Sequence, residues 1–269
     1  MVGGRFAMAG LLVMAGALRC CCFQVLVQGG GTLVVQKPAG LAAEKRISSP
    51  SDSMIEIVRR SHEAPQAQLP HRLDKMTGGV LVVALTQQAL SWHNKCIEQK
   101  VWGPKIYAAR LAGARVAEGE HKAYLKRVGQ RAVCVRSGGK PSFLDVLYQE
   151  PTPGREGLST DVIISLRTGR YHQIRAMMAD AGNPVLGDVL YGDKTRVTPL
   201  LTHALLGLPV PDDQVGSFPK ELMFEGSDHT KKLLIPAAEL SPPDVQVFSS
   251  GFISFLSEYA ANIRRQAQC

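Results

Sequence analysis

The stretch His71-Arg72-Leu73-Asp74-Lys75-Met76-Thr77-Gly78-Gly79 runs directly into the apolar residues 80–85, Val-Leu-Val-Val-Ala-Leu. A short, continuous apolar run bounded by glycines is typical of a buried β-strand. The sequence therefore places one carboxylate, Asp74, on a loop before a strand and between cationic side chains. Nearby positive charge favours the ionised form of a carboxylate. Asp74 is thus a candidate nucleophile or acid for a polyanionic substrate, and a solvated salt bridge in a turn is the alternative.

A second polar block, residues 166–175, reads Leu-Arg-Thr-Gly-Arg-Tyr-His-Gln-Ile-Arg and leads into a predicted helix. His172, Arg175 and Met178 recur at a three-residue step, so a helix would place them on one side. Gly182 and the following Asn-Pro pair predict its end. Cations at a helix start are unfavourable against the helix dipole unless an anion lies nearby. The block is therefore predicted to face a ligand.

These two blocks and three further segments resemble the RluA-type RNA pseudouridine synthases. The further segments are residues 33–40 (Leu-Val-Val-Gln-Lys-Pro-Ala-Gly), 105–109 (Lys-Ile-Tyr-Ala-Ala) and 183–192 (Asn-Pro-Val-Leu-Gly-Asp-Val-Leu-Tyr-Gly). The resemblance covers residues 32–210, in the family's order and at similar spacing. Several ordered motifs over that length argue against chance far more strongly than any single one.

The resemblance implies roles for individual residues. Asp74 matches the catalytic aspartate, which attacks the target uridine so that the glycosidic bond breaks. Tyr107 matches an active-site tyrosine that packs on the uracil and takes part in removing the C5 proton. Arg175 matches the arginine that pairs with the aspartate, and Arg72 a position that helps fill the gap left by the extruded base. The expected RNA-binding residues are Lys37, His71, Arg72, Arg170, His172 and Gln173.

The chemistry requires these residue types. Breaking the C1′–N1 bond develops positive character on the sugar, which an ionised carboxylate stabilises or captures. Arg175 can offset the desolvation of that carboxylate by a fork-like contact, for which lysine would be a poor substitute. The target base must also leave its stack, at a cost of roughly a few kcal/mol that an inserted side chain and an aromatic platform offset.

Three positions depart from the family pattern. Gly78 stands where a serine is usual, Leu85 replaces a common lysine, and Tyr171 replaces a small hydroxyl residue. None removes a named catalytic group. Two functions remain open: an active synthase that isomerises a uridine in rRNA or tRNA, and a catalytically inactive RNA-binding or ribosome-assembly factor on the same scaffold.

Composition agrees with an RNA partner without requiring one. The chain has 269 residues, a net charge of +8 and a pI near 9.3, which suits a polyanionic partner. The basic residues between the two blocks form either a guiding surface or a solvated face: Arg110, Arg115, Lys122, Lys126, Arg127, Arg131 and Arg136. The six cysteines and seven histidines show no metal-binding spacing. We expect no cofactor, no metal and a monomer.

The predicted organisation has three parts: a targeting segment 1–28, a catalytic domain 29–215 and an extension 216–269 whose terminal helix packs on that domain. Residues 1–28 contain Arg5 and Arg19 but no acidic residue, and the apolar residues 6–18 are too short to span a bilayer. A secretory signal is the alternative on pattern. We expect a mitochondrial or other organellar location, with a cytoplasmic one as the alternative, and no stable membrane association.

Local patterns predict strands at 32–36, 79–86, 104–112, 142–150 and 158–167, and helices at 87–100, 171–181 and 251–266. Residues 41–70 and 211–232 are predicted as loops, and 236–243 as an extended connection. This order favours a mixed α/β (α+β) fold: a largely antiparallel sheet with flanking helices and a central active-site cleft, as in the pseudouridine synthase fold.

Overall fold

One large sheet carries the fold in the computed structural model, which describes residues 19–20, 23–44, 52–154, 157–192, 199–226, 228–238 and 248–266. The strands are β1 Arg19–Cys20, β2 Phe23–Gly29, β3 Thr32–Lys37, β4 Gly78–Ala84, β5 Lys105–Ala112, β6 Gly119–Val128, β7 Arg131–Cys134, β8 Lys140–Gly154, β9 Gly157–Leu166, β10 Leu201–Pro209, β11 Met223–Glu225 and β12 Lys231–Pro236. The helices are α1 Met54–Ser61, α2 Gln87–Glu98, α3 Gln173–Asp180 and α4 Ser250–Gln266.

The strand order is β1-β2-β3-β4-β10-β5-β9-β8-β6-β7, with β12 paired to β10 and β11 to β12. All of these pairs are antiparallel except the pair of β4 and β10. Alternate residues of β4 enter two different core layers: Leu81 and Val83 on one face, Val80 and Val82 on the other. Burial of both faces explains the unbroken apolar run after Gly79, and the predicted mixed, largely antiparallel fold is confirmed.

The predicted strands and helices are all present, with ends shifted by a few residues. The loop prediction for 41–70 is wrong, because α1 lies inside it behind a capping box formed by Ser53 and Glu56. The loop prediction for 211–232 is also incomplete, since it contains two 3₁₀ turns, all of β11 and the start of β12. The prediction of an extended connection at 236–243 falls mostly outside the described residues.

Seven of the twelve strands in the described residues are not predicted from the sequence, and β10, β6 and β7 show why. Strand β10 is buried along its whole length, so its residues show no alternation of apolar and polar side chains. Strand β6 has a largely exposed, charged sequence, and it forms a short hairpin with β7 at the end of the sheet. Neither pattern resembles a half-buried strand.

Both predicted flanking segments contribute to the sheet. Strand β2 pairs with β3 and buries Phe23 and Val27, so residues 23–28, assigned above to a targeting segment, belong to the folded sheet. In the extension, β12 pairs with β10, and α4 buries Phe252 and Leu256 in a core layer shared with Ile163 of β9. Residues 1–18, on which the targeting prediction depends, lie outside the described residues. Among the described helices, none is both long and apolar enough to cross a membrane.

Candidate active site

The Asp74 loop is held from behind by a buried lysine. Lys37, at the end of β3, is fully buried, and its ammonium donates to the carbonyls of Pro38 (2.8 Å), Leu41 (2.7 Å) and Lys75 (3.2 Å). Burial lowers the pKa of Lys37 to about 7, and the charge of Asp74 opposes that change. The predicted RNA contact of Lys37 does not fit this position, because its three N–H groups already serve the backbone. Its role is to fix the loop next to Asp74.

The two glycines after the loop differ in what they allow. Gly79 has a φ of +103°, and a Cβ there would lie 2.3 Å from the carbonyl oxygen of His203, so only glycine fits where β4 meets β10. A Cβ on Gly78 would meet its nearest neighbour at 3.5 Å, an ordinary contact. A Cβ at position 78 is therefore compatible with the backbone, and the backbone does not require glycine there.

Arg175, on α3, connects the nucleophile candidate to a second carboxylate. Its Nη1 donates to Asp74 Oδ2 at 3.2 Å, while Nε and Nη2 donate to the two oxygens of Asp188 at 2.6 and 3.0 Å. The Asp188 side chain is 3% exposed and that of Asp74 is 24% exposed. The bidentate pair fixes the guanidinium in a buried position, and the remaining nitrogen faces the more accessible carboxylate. The predicted pairing of Asp74 and Arg175 is therefore present.

His172 lies on the other side of Asp74. Its Nε2 is 3.6 Å from Asp74 Oδ2, and its Nδ1 is 3.0 Å from the hydroxyl of Tyr191, which accepts the N–H of Ala132 at 2.7 Å. Burial lowers the pKa of His172 to about 4, with Asp74 opposing, so the ring is neutral near neutral pH. A charged Asp74 favours the tautomer that carries its proton on Nε2, because a lone pair there would face the carboxylate. His172 then faces Asp74 rather than solvent.

Tyr107 and His203 are stacked across β5 and β10. Their ring centres are 4.6 Å apart and their planes differ by 12°, and His203 Nδ1 lies 2.8 Å from the carbonyl oxygen of Val80. Burial raises the pKa of Tyr107, and the charge of Asp74 adds to the rise. Tyr107 is therefore a neutral phenol close enough to Asp74 to feel its charge. His203 supports its ring and ties it to the strand that follows Asp74.

The other predicted RNA-binding residues divide into two groups. Arg72 is exposed and pairs with Glu44 at 3.1 Å, and Arg170 is exposed with its Nε 3.3 Å from the carbonyl oxygen of Pro141, so both can reach a ligand. His71 instead accepts the backbone N–H of Val82 at 3.0 Å. Gln173 is buried, accepts from Thr168 and the N–H of Arg170, and donates to Phe143. The hydrogen bonds of His71 and Gln173 stabilise the fold.

Three residues of the site were not predicted: Asp188, Tyr191 and His203. Asp188 and Tyr191 stand in the segment 183–192 that carries the resemblance, so that segment was the available signal. No pattern pointed to His203. Among the described residues, no group of three or more His, Cys, Asp or Glu side chains could hold a metal ion.

Together, these groups place a partly accessible carboxylate between an arginine, a neutral histidine and a neutral tyrosine. Such a carboxylate can stabilise or capture a cationic carbon. The sequence pattern described as RNA pseudouridylate synthase matches residues 31–180. The chain belongs to the RNA pseudouridylate synthase family.

Relatives within this family are similar over about two thirds of the chain. It is 31% identical to ribosomal large subunit pseudouridine synthase D of Pseudomonas aeruginosa over 191 residues, which are 68% of this chain and 58% of that protein. It is 34% identical to the dual-specificity RNA pseudouridine synthase RluA of Escherichia coli K12 over 193 residues, which are 67% of this chain and 83% of that protein. Several matched relatives are thus covered over little more than half of their length.

Solved structures agree on the fold. The human RNA pseudouridylate synthase domain containing 1 superposes with a TM-score of 0.60 at 22% identity, covering 89% of this chain and 94% of that one. The human RNA pseudouridylate synthase domain containing 4 gives a TM-score of 0.53 at 20% identity, covering 73% of this chain and 89% of that one. At this identity the likeness supports the pseudouridine synthase fold alone.

Proposed function

We propose that this chain is an active RNA pseudouridine synthase that isomerises a uridine in structured RNA. The observation that carries the proposal is the contact of Asp74 with Arg175, whose guanidinium is fixed in turn by Asp188. This arrangement keeps a cation against a carboxylate that is still partly open to a substrate. A carboxylate needed only for a structural ion pair would not require the accessible side.

In the proposed reaction, the target nucleotide leaves its stack and its sugar approaches Asp74. The C1′–N1 bond breaks, the carboxylate stabilises or captures C1′, and the released uracil turns so that C5 faces the sugar. C5 then bonds to C1′, and any bond between C1′ and the Asp74 oxygen breaks and returns its electron pair to the carboxylate. The C5 proton leaves, and N1 ends the reaction protonated. No redox partner is needed, since the product is an isomer of the substrate.

Tyr107 fits two parts of this sequence. Its ring, held against His203, supplies a flat platform for the uracil while the base turns. Its pKa is raised by burial and, to a smaller degree, by the charge of Asp74. Capture of C1′ by Asp74 would remove that charge, so the phenol would become easier to deprotonate after the glycosidic bond has broken. Proton removal from C5 belongs to that later stage.

For the substrate, we propose a structured rRNA or tRNA. The relatives are named for ribosomal large subunit RNA and for dual specificity, and the basic composition suits either RNA. The inactive-factor alternative rested on Gly78 and Leu85. Nothing at position 78 favours it, since a Cβ there would meet only ordinary contacts.

We also propose that the chain acts as a monomer and is directed to a mitochondrion or another organelle by residues before β2. Support comes from the apolar residues 6–18, flanked by Arg5 and Arg19 without an acidic side chain. Fusing residues 1–22 to a fluorescent protein would test whether this segment directs a protein to an organelle. A diffuse cytoplasmic signal would contradict it, and light scattering of the purified chain would test the monomer.

The test of the activity is a comparison of wild type with Asp74→Asn on transcripts of large-subunit rRNA and tRNA made with uridine tritiated at C5. Forming the C1′–C5 bond releases the tritium to water, so release counts turnovers. We expect release by wild type, at least a thousandfold less from Asp74→Asn, and an unchanged melting temperature, because the amide retains the shape of the side chain. Asp213→Asn, at an exposed carboxylate in a surface turn, is the matched control. Asp74→Asn turnover within tenfold of wild type would exclude Asp74 as the nucleophile.

A further inference from the structure

Tyr171 joins the β6–β7 hairpin to the active site. Its ring centre is 3.8 Å from that of His172, with the two planes 18° apart, and the guanidinium carbon of Arg127 is 4.6 Å from the ring centre. Two groups this close cannot share one face of the ring, so the histidine and the arginine cover opposite faces. The Tyr171 hydroxyl donates to the carbonyl of Gln130 in the hairpin turn at 3.1 Å. A small hydroxyl side chain at this position could make neither face contact.

Tyr191 makes a second, parallel connection. The guanidinium carbon of Arg131 is 5.1 Å from the centre of its ring, and that of Arg175 is 5.0 Å from the same centre. The Tyr191 hydroxyl accepts the N–H of Ala132 in β7. Arg131 therefore contacts the same ring as Arg175, the residue that contacts Asp74. Both hairpin arginines are oriented by aromatic rings that belong to the site.

Neither arginine has an acidic partner among the described residues. Other arginines do have acidic partners within 4 Å. Arg167 pairs with Asp145 and Glu120, and Arg110 pairs with Asp161. Arg127 and Arg131 are exposed, and within the described ranges neither makes such a pair. An unpaired guanidinium held on an aromatic face is oriented but not neutralised.

The neighbouring lysine points elsewhere. Residues alternate across β6, so Leu125 and Arg127 lie on the face toward α3, while Lys126 lies on the opposite face with Lys122 and Tyr124. The charge of Arg127 also reaches His172. Burial is the largest cause of the lowered pKa of His172, and the charge of Arg127 is among the smaller contributions that lower it further. Arg127 therefore lies near His172, with the ring of Tyr171 contacting both residues.

We propose that Arg127 and Arg131 form a phosphate-binding pair that holds the RNA backbone next to the flipped nucleotide, oriented by Tyr171 and Tyr191. This inference rests on the proposed function. Of the basic residues between positions 110 and 136, the proposal assigns phosphate binding to these two. Arg110 is excluded because it is buried and its Nε donates to Asp161 Oδ1 at 2.6 Å. Backbone phosphate is the chemistry favoured, since guanidinium groups match phosphate oxygens in a fork. A base could not stack on Tyr171, because both faces of that ring are covered.

The first test is a salt titration of affinity for one uridine-containing stem-loop RNA, with wild type, Arg127→Gln, Arg131→Gln and the matched control Lys126→Gln. A phosphate contact adds roughly −0.7 to −0.9 to the slope of log affinity against log salt. We expect each arginine variant to lose about that much slope and to bind about five- to tenfold more weakly at low salt. Lys126→Gln should keep the wild-type slope. Equal slopes for all four proteins, or a loss confined to Lys126→Gln, would overturn the proposal.

Two further variants separate charge from orientation. Arg127→Lys keeps the charge, so it should restore the slope while binding more weakly than wild type. Tyr171→Thr keeps both arginines but removes the ring that holds Arg127, so we expect about a two- to threefold weaker affinity with an unchanged slope. Wild-type affinity in Tyr171→Thr would overturn the orienting role of the ring. Melting temperatures within about 2 °C of wild type are required of each variant that is compared.

The outcome is independent of catalysis. Suppose that wild type releases no tritium from the RNA, yet both arginine variants have a smaller salt slope than wild type. The proposed activity then fails and the phosphate pair stands. If wild type is active and the slopes are equal, the phosphate pair fails and the activity stands.

Discussion

Replacing Arg175 by methionine removes the guanidinium that Asp74 and Asp188 share and retains a side chain of similar length. Arg175 and Asp188 side chains are only 9% and 3% exposed. Breaking a buried ion pair from one side costs about 3–5 kcal/mol, because the remaining charge is stranded. In a chain of this size, about 1 kcal/mol corresponds to roughly 2–4 °C. We therefore expect the melting temperature of Arg175→Met to fall by about 6–20 °C.

Turnover should fall as well. Asp74 loses its 3.2 Å contact with Nη1, and with it the charge that offsets its desolvation next to the sugar. Removing one preorganised electrostatic partner of a reacting group typically costs about 10²–10³ in kcat. Tritium release at saturating RNA, measured below the melting temperature of the variant, separates this loss from unfolding.

A double-mutant cycle identifies the partner responsible for the stability. Asp188→Asn keeps the acceptor for the N–H of Leu190 but removes the charge paired with Arg175. The double variant Arg175→Met/Asp188→Asn leaves no buried carboxylate at position 188, while Asp74 loses its cation as it does in the single variant. We expect it to be less destabilised than the sum of the single variants by about 0.5–3 kcal/mol, measured by urea unfolding. A melting temperature of Arg175→Met within 2 °C of wild type, or strictly additive values, would refute the shared-guanidinium argument.

Two further predictions follow from residues around the Asp74 loop. The folded-state pKa of Lys37 is about 7, below its ordinary value of 10.5, so the unfolded chain binds more protons between these values and stability should rise with pH. Urea unfolding from pH 7 to 9 should show that rise in wild type and not in Lys37→Met, and parallel curves would contradict it. Gly78→Ser should leave stability and turnover within about twofold of wild type, whereas Gly79→Ala should lower stability by about 2 kcal/mol or more. Equal stabilities of these two variants would refute the distinction.

Sequence reasoning located Asp74, the proposed nucleophile, and its partner Arg175 because each stands in a local motif. Asp74 and Arg175 are 101 residues apart, yet their pairing follows once both motifs are attributed to one site. The pairing of Arg175 with Asp188 depends on the path of the chain after α3, where the backbone turns back toward the helix. No periodicity encodes that path, so the residue that fixes the guanidinium was not identified.

Polar residues predicted to bind RNA divide by burial, which their residue types do not reveal. A lysine is almost never fully buried, so Lys37 in a motif is expected at the surface. Its burial requires three carbonyls that come from two separate loops. Gln173 likewise reads as a ligand-facing residue at a helix start, but it bonds to the segments around Phe143 and Thr168. In both cases, the partners are set by tertiary structure.

Position 171 illustrates how a single departure from the family pattern changes more than its own contacts. Arg127 covers Tyr171, Tyr171 stacks on His172, and His172 faces Asp74, so the hairpin is connected to the nucleophile by side chains. A small hydroxyl residue would remove this connection and leave the one through Tyr191, which contacts Arg131 and accepts the N–H of Ala132. Since phosphate contacts position RNA without reading its sequence, this connection would act on how the target nucleotide is presented to Asp74. Any effect of position 171 on site choice should therefore depend on Arg127 and be lost when Arg127 is replaced.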